Sequence, residues 1–246
     1  MTGIICAMDD EVRDILHAMD DRKEEEHYGI LFHRGRIADK ELVVVKCGVG
    51  KVNAARVTQL LIDIFGVDAI INSGIAGGLG DGMAHGDVVV GTEFVQHDFD
   101  IHLFGYAPGF MGFNIGTGDP DSPTLFFSDE NLCDELCSSL ERMKGTEICE
   151  GKSFNAKIWR GRIASGDQFI CDMDLKLKIK NEFNALAVEM EGAAVAQVAS
   201  LSGVPFSVIR VISDLAGEAE TFLSDEHSRY YSEISATLMI NHLKGL

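Results

Sequence analysis

Five runs of nearly unbroken apolar residues punctuate this chain: GIICA (3–7), ELVVVKCGVG (41–50), DAIINSGIAGG (68–78), HGDVVVG (85–91) and PFSVIRVISD (205–214). A strand with one wet face alternates apolar and polar residues, whereas a strand covered on both faces does not. Such runs require a sheet buried between two layers. Two further segments, GRIASGDQFI (161–170) and ALAVEM (185–190), also read as strands. The intervening segments carry helical spacing. They are an acid-started helix from about Asp9, Val52 to Phe65, Asp172 to Phe183, the small-residue stretch Glu191 to Leu201, and a long Thr221 to Leu243. Ser128 to Met143 is amphipathic, with Ser128 placed as its N-cap. Residues 104–123, rich in Gly, Pro and aromatics, read as a long loop. Strands alternating with helices predict an α/β fold around a central sheet. With no repeat, low-complexity tract or linker in view, residues 1–246 are expected to form a single domain.

Composition narrows the function. Hydrophobic residues make up 46% of the 246, enough to fill a large core. The formal net charge of -18 argues against a nucleic-acid backbone or an anionic membrane as partner. A small neutral ligand is unaffected by that charge. No apolar run approaches the roughly 18 residues of a membrane span. The opening MTGIICAMDDEV has no basic segment and runs into acids, so no secretory signal is expected. The six cysteines (Cys6, Cys47, Cys133, Cys137, Cys149 and Cys171) form no CxxC pair. Reduced thiols in a cytoplasmic protein are the expectation, not a disulfide frame or a zinc site.

The stretch AVEMEGAAVAQVA (187–199) holds two carboxylates, Glu189 and Glu191, among small and apolar residues. Burying an unpaired carboxylate costs on the order of several kcal/mol, or raises its pKa until it neutralises. A ligand or a partner must offset that cost. Glycines or acids also follow the predicted strands at Met8 to Glu11, Gly48 and Gly50, Gly74 to Gly78, Gly166 to Ile170, and Ser213 to Asp214. Ligands of α/β sheets bind beyond such strand ends. Turns need Gly and Asp in any case. Ordinary turns do not account for three carboxylates, Glu11, Glu191 and Asp214, each set against an apolar run.

Several familiar motifs are absent. CGVGKVNAA lacks the spacing of a phosphate-binding P-loop, GIAGGLGDG does not fit GxGxxG, and no GxSxG elbow occurs. No HExxH or clustered His/Cys set suggests a metal, and DMDLKLKI lacks the Gly and terminal Glu of a calcium loop. No cofactor and no metal are expected. His97-Asp98 is a suggestive pair, although a loop His is more often structural or solvated.

Taken together, GIICAMDDEV, CGVGKVNAA, IINSGIAGGL, GDVVV, HDFDIHLFGY, SGDQFI, AVEMEGAAVAQVA and VIRVISD resemble one family in order. It is the nucleoside phosphorylase superfamily, and within it the bacterial 5'-methylthioadenosine/S-adenosylhomocysteine nucleosidases. The resemblance implies a three-layer α/β/α sandwich with a central mixed, partly barrel-like sheet. It implies hydrolysis of the bond between adenine N9 and ribose C1', through an oxocarbenium-like state. Adenine leaves poorly until it is protonated at N7, and a carboxylic acid can supply that proton. By resemblance Asp214 is this acid, steadied by Ser213, and Glu11 activates the attacking water. Glu191 holds the ribose 2'- and 3'-hydroxyls and Met190 packs on the sugar. Phe169 stacks on adenine, with backbone groups of Phe169 and Ile170 reading the base edge. Met8 and Val49 lie near the substrate, and Ala76 and Gly77 beside the ribose and water. Glu189 belongs to the same group; if the segment is still extended there, it points away and is expected to pair with a base such as Arg210. Phe104 matches a residue lent to the partner subunit's alkylthio pocket, implying a homodimer. Phe222 aligns loosely with a lid aromatic in GEAETFLS (217–224).

The chain departs from the pattern at Ile75, where the family often has Ser, and in the 107–123 loop. The 5' preference rests on that loop and on 217–224; 5'-deoxyadenosine is a further candidate substrate. Three alternatives stay open at this point. One is a purine nucleoside phosphorylase, with phosphate in place of water near Gly74 to Gly78 and Arg210. Another is a hydrolase of futalosine-type nucleosides. The third is a nucleoside-binding protein without turnover, disfavoured because binding alone needs no acid catalyst.

Overall fold

The computed structural model describes residues 1–112, 118–149, 151–216 and 225–246. The apolar runs form the inner strands β1 (Thr2–Cys6), β4 (Lys40–Lys46), β5 (Ala69–Gly78), β6 (Val88–Gln96), β10 (Ile158–Ser165), β11 (Ala187–Glu189) and β12 (Phe206–Asp214). A charged hairpin, β2 (Asp20–His27) and β3 (Ile30–Ile37), extends the edge. Short strands β7 (Phe126–Phe127), β8 (Glu147–Cys149) and β9 (Lys152–Ser153) complete the set among the described residues. The large sheet runs β11-β10-β6-β12-β5-β1-β4-β3-β2, with β7 beside β6. It mixes parallel pairings such as β1 with β5 and antiparallel ones such as β12 with β6. Strand β11 also pairs β5 through Ala187 opposite Gly78 and Val188 opposite Gly77. That contact closes β5, β12, β6, β10 and β11 into a ring, from which β1, β4, β3 and β2 extend as an open wing.

Alternation of side chains sorts the core into layers. Ile5, Val43 and Val45 face helices α2 (Lys51–Leu60) and α5 (Gly192–Ser202). Their neighbours Ile4, Cys6, Leu42 and Val44 face the opposite way, toward α1 (Asp9–His17), α3 (Glu130–Met143) and α6 (Asp225–Leu243). Helix α4 (Met173–Phe183) covers one side of the ring through Ile179 and Phe183. The fold is therefore an α/β/α sandwich around a mixed sheet, as the buried apolar runs require.

One local expectation is corrected. The N-cap of α3 is Asp129, whose side chain accepts from Leu132 N at 3.0 Å. Ser128 instead donates its hydroxyl to the Gly91 carbonyl at 2.6 Å. The helix after Val52 widens to a π-turn over Leu61–Phe65 and ends at Gly66, φ 59°. The start of the Thr221 to Leu243 helix and Phe222 lie outside the described residues.

Candidate active site

The strand ends converge on a cleft of about 480 Å³ of open volume. Its acidic walls are Glu11, Glu189, Glu191 and Asp214, although these come from three separate strand–helix junctions. Met8, Val49, Ala76, Gly77, Met190 and Ser213 line it as well. Phe169, 48% exposed, leans over it, and an adjoining hollow adds Gln168 and Ile170. Phe104 does not line this cleft; it sits on a short 3-10 turn and is 78% exposed.

Glu11 occupies the first turn of α1 beside two other acids, and burial separates the three. Asp9 reaches out to Lys46 at 2.7 Å and Asp10 to Arg13 at 2.6 Å. Glu11 turns inward. Its Oε2 accepts from Ala7 N at 2.8 Å and Met8 N at 3.0 Å, and Oε1 from Ile75 N at 3.0 Å. A Cβ at Gly74 would stand 2.4 Å from Oε1, so only glycine leaves room for the carboxylate. Burial pushes the Glu11 carboxyl above its ordinary range, while Arg210 and the three N–H groups pull it back.

Glu189 and Glu191 have separate tasks although they are one residue apart. Glu189 Oε2 lies 2.5 Å from Arg210 Nη2 in a pair that is nearly inaccessible. Its carboxylate also accepts from the Ser165 hydroxyl and from Glu191 N and Gly192 N, which open α5. Arg210 spends its other bonds on Asn72 and on the Ile209 carbonyl. Glu191 stands 3.9 Å from Arg210 and accepts from Gly50 N at 2.8 Å. Gly50 presents that N–H at φ 102°, a conformation that favours glycine. Burial and the neighbouring Glu189 charge push Glu191 up to about 8.

Asp214 ends β12 at an irregularity. Its Oδ2 accepts from Ser213 Oγ at 2.9 Å and its Oδ1 from Ala216 N at 2.9 Å. Gly77 runs close alongside, where a Cβ would approach Oδ1 to 3.0 Å.

Sequence reading noted Asp98 only as the partner of His97 and missed the connection it makes. Lys51 Nζ reaches Asp98 Oδ1 at 2.5 Å, and Asp98 Oδ2 accepts from Asp167 N at 2.9 Å. Asp167 in turn accepts from Lys51 N at 2.8 Å. This tether joins the glycine loop before α2 to the loop carrying Phe169. His97, Asp98's neighbour, is buried against Gly166, and burial holds its pKa below the ordinary value. Asn72 and Ser165, which hold Arg210 and Glu189, sit inside strands and carry no motif signal. Among the described residues no group of His, Cys, Asp and Glu is arranged to hold a metal.

Comparison with known proteins agrees across the whole length. A model of the phosphorylase superfamily matches residues 2–244. A 5'-methylthioadenosine/S-adenosylhomocysteine nucleosidase of Staphylococcus haemolyticus is 40% identical over 247 aligned positions, covering 100% of both chains. The crystal structure of the nucleosidase of that name from Neisseria meningitidis, in complex with methylthio-immucillin-A, superposes with a TM-score of 0.85 at 34% identity. It covers 100% of this chain and 99% of that one. A futalosine hydrolase of Helicobacter pylori superposes with a TM-score of 0.85 at 32% identity, covering 100% and 97%.

Proposed function

The chain belongs to the phosphorylase superfamily, and from that premise we infer that it hydrolyses the N-ribosidic bond of 5'-methylthioadenosine and S-adenosylhomocysteine, releasing adenine. The observation that carries the reading is one cleft lined by Glu11, Glu191 and Asp214 with an aromatic, Phe169, over it. Three buried acids around a small apolar-walled space suit a ligand that carries hydroxyls and develops positive charge.

The chemistry follows from the positions. Asp214, with Ser213 and Ala216 N fixing both its oxygens, donates a proton to adenine N7 as the bond to C1' lengthens. Glu11 takes a proton from the attacking water. Its raised pKa makes it a stronger base, and its three N–H partners fix its aim. Glu191 accepts from the ribose hydroxyls and so holds the sugar that passes through the oxocarbenium-like state. Met190, Met8 and Val49 form the apolar wall. Glu189 acts indirectly, by neutralising Arg210 and opening α5.

Water, not phosphate, is the nucleophile. No Lys or Arg lines the cleft among the described residues. Arg210, the nearest guanidinium, already has its Nη groups on Asn72, the Ile209 carbonyl and Glu189. An arriving phosphate would face carboxylates. Chromatography of products from 5'-methylthioadenosine in phosphate-free buffer should show adenine at an undiminished rate. Asp214→Asn should lose at least about 100-fold in kcat; unchanged turnover in that variant would refute the acid's role. The same assay run on adenosylhomocysteine, 5'-deoxyadenosine, inosine and a futalosine-type nucleoside separates the alternatives. Preference for the last would reassign the substrate, given the Helicobacter pylori neighbour.

The reading extends to assembly and place. Phe104 and Leu103, 78% and 88% exposed, support a homodimer in which Phe104 enters the partner subunit's pocket. Six free cysteines suit a reducing, cytoplasmic setting. No described helix is long and apolar enough to cross a membrane. A site assembled from both ends of the chain, Met8 to Ser213–Asp214, supports residues 1–246 acting as one domain.

A further inference from the structure

The end of β12 is irregular in one respect that the chemistry above does not use. Against β5, Ile212 pairs with Ala76 and Asp214 with Gly77, so Ser213 is an extra residue in a bulge. Ile212 is anchored on its other edge by Gly86 N to its carbonyl and by its own N–H to Asp87 O, each at 2.8 Å. Ser213 lies one step beyond both anchors and is fully buried. Its carbonyl needs a donor there. His227, in the first turn of α6, supplies one, with Nε2 2.6 Å from that oxygen. A carbonyl only accepts, so Nε2 carries the hydrogen. The imidazole is held in place by two aromatic edges. Tyr231, one turn further along α6, lies 4.9 Å away at 63°. His85 lies 5.7 Å away at 79°, and it adjoins the Gly86–Asp87 turn that anchors Ile212.

The Ser213 carbonyl belongs to the peptide plane that contains Asp214 N. Fixing that oxygen fixes the plane, and with it the direction in which the Asp214 side chain leaves the backbone. Bulges re-aim side chains in this way, and they keep their aim only if the freed backbone group is held. We propose that His227 is a positioning residue for the acid: by donating Nε2–H to the Ser213 carbonyl, it locks the bulge that points the Asp214 carboxyl into the cleft. The inference rests on Asp214 being the acid. His227 does not touch the substrate, and no motif of the sequence marks it.

Three variants test the role, assayed with 5'-methylthioadenosine alongside thermal unfolding by circular dichroism. His227→Phe keeps the ring and removes the donor. His227→Gln puts an amide N–H at similar reach. His227→Glu matches Gln in size but offers only acceptors near neutrality. His227→Phe and His227→Glu should lose about 10- to 100-fold in kcat, the range that small misplacements of catalytic groups produce. KM should stay within about threefold, and His227→Gln should recover most of the loss. A purely structural histidine would lower the unfolding temperature and leave kcat per folded molecule intact. Equal kcat for the Gln and Glu variants overturns the proposal even if the Phe variant does not fold. Asp214→Asn runs in parallel. If it is inactive while His227→Phe turns over normally, only the His227 role falls; if it remains active, the acid assignment falls and the His227 role with it.

Discussion

At the scale of single residues, the cleft depends on where carboxylates are allowed to sit. Three consecutive acids, Asp9, Asp10 and Glu11, look interchangeable in sequence, because any of them suits the positive end of a helix dipole. Only Glu11 meets a neighbouring strand with a glycine opposite, and that space decides its role. Gly74→Ala should push the Glu11 carboxylate aside and lower kcat about tenfold or more. Steady-state adenine release measures this, and wild-type kcat would mean that Glu11 tolerates displacement. Arg210 poses the opposite case, a cation surrounded by protein. Arg210→Met strands Glu189 as an uncompensated buried charge and should cost about 3–5 kcal/mol of stability in urea unfolding. Adding Glu189→Gln should return part of that loss, since it removes the stranded charge.

At the scale of elements, strand identity was legible where both faces are covered and illegible where neither is. The strand β2 reads DDRKEEEH and offers no apolar face. It forms because β3 supplies a pairing edge, and its charges keep that edge from recruiting other chains. Helix α5 shows how an element carries chemistry. Its first residues sit over the Glu189 carboxylate, and Glu191 is its N-cap residue. Glu191 keeps its proton in the folded chain up to about 8, against 4.5 for an ordinary Glu. The folded state therefore binds more protons than the unfolded one between those values, so stability falls as pH rises through that window. Glu191→Gln should flatten this part of the pH–stability curve, as measured by chemical denaturation from pH 5 to 8.5. The loop tether makes a different prediction. Asp98→Ala removes the bonds to Lys51 Nζ and Asp167 N, loosening the loop that holds Phe169, and should raise KM more than it lowers kcat. An equal fall in kcat at constant KM would show that the tether serves the chemical step instead.

At the scale of the whole molecule, the ring closed by β11 on β5 brings junctions far apart in sequence to one cleft. The proposed homodimer should sediment at twice the chain's mass, and Phe104→Asp should shift it toward the monomer while weakening substrate binding. A monomeric wild type with full activity would remove Phe104 from the site. By itself the sequence determined the alternation of buried strands and helices, because double-sided burial forbids polar alternation. It also determined which acids stand out, because charge in an apolar run is conspicuous. Tertiary structure alone decided that Asp98 ties Lys51 to the loop of Asp167, that Asn72 and Ser165 hold the Arg210–Glu189 pair, and that His227 reaches the Ser213 carbonyl. Each of these depends on the distance between groups remote along the chain, and residue patterns encode burial and periodicity but not such distances.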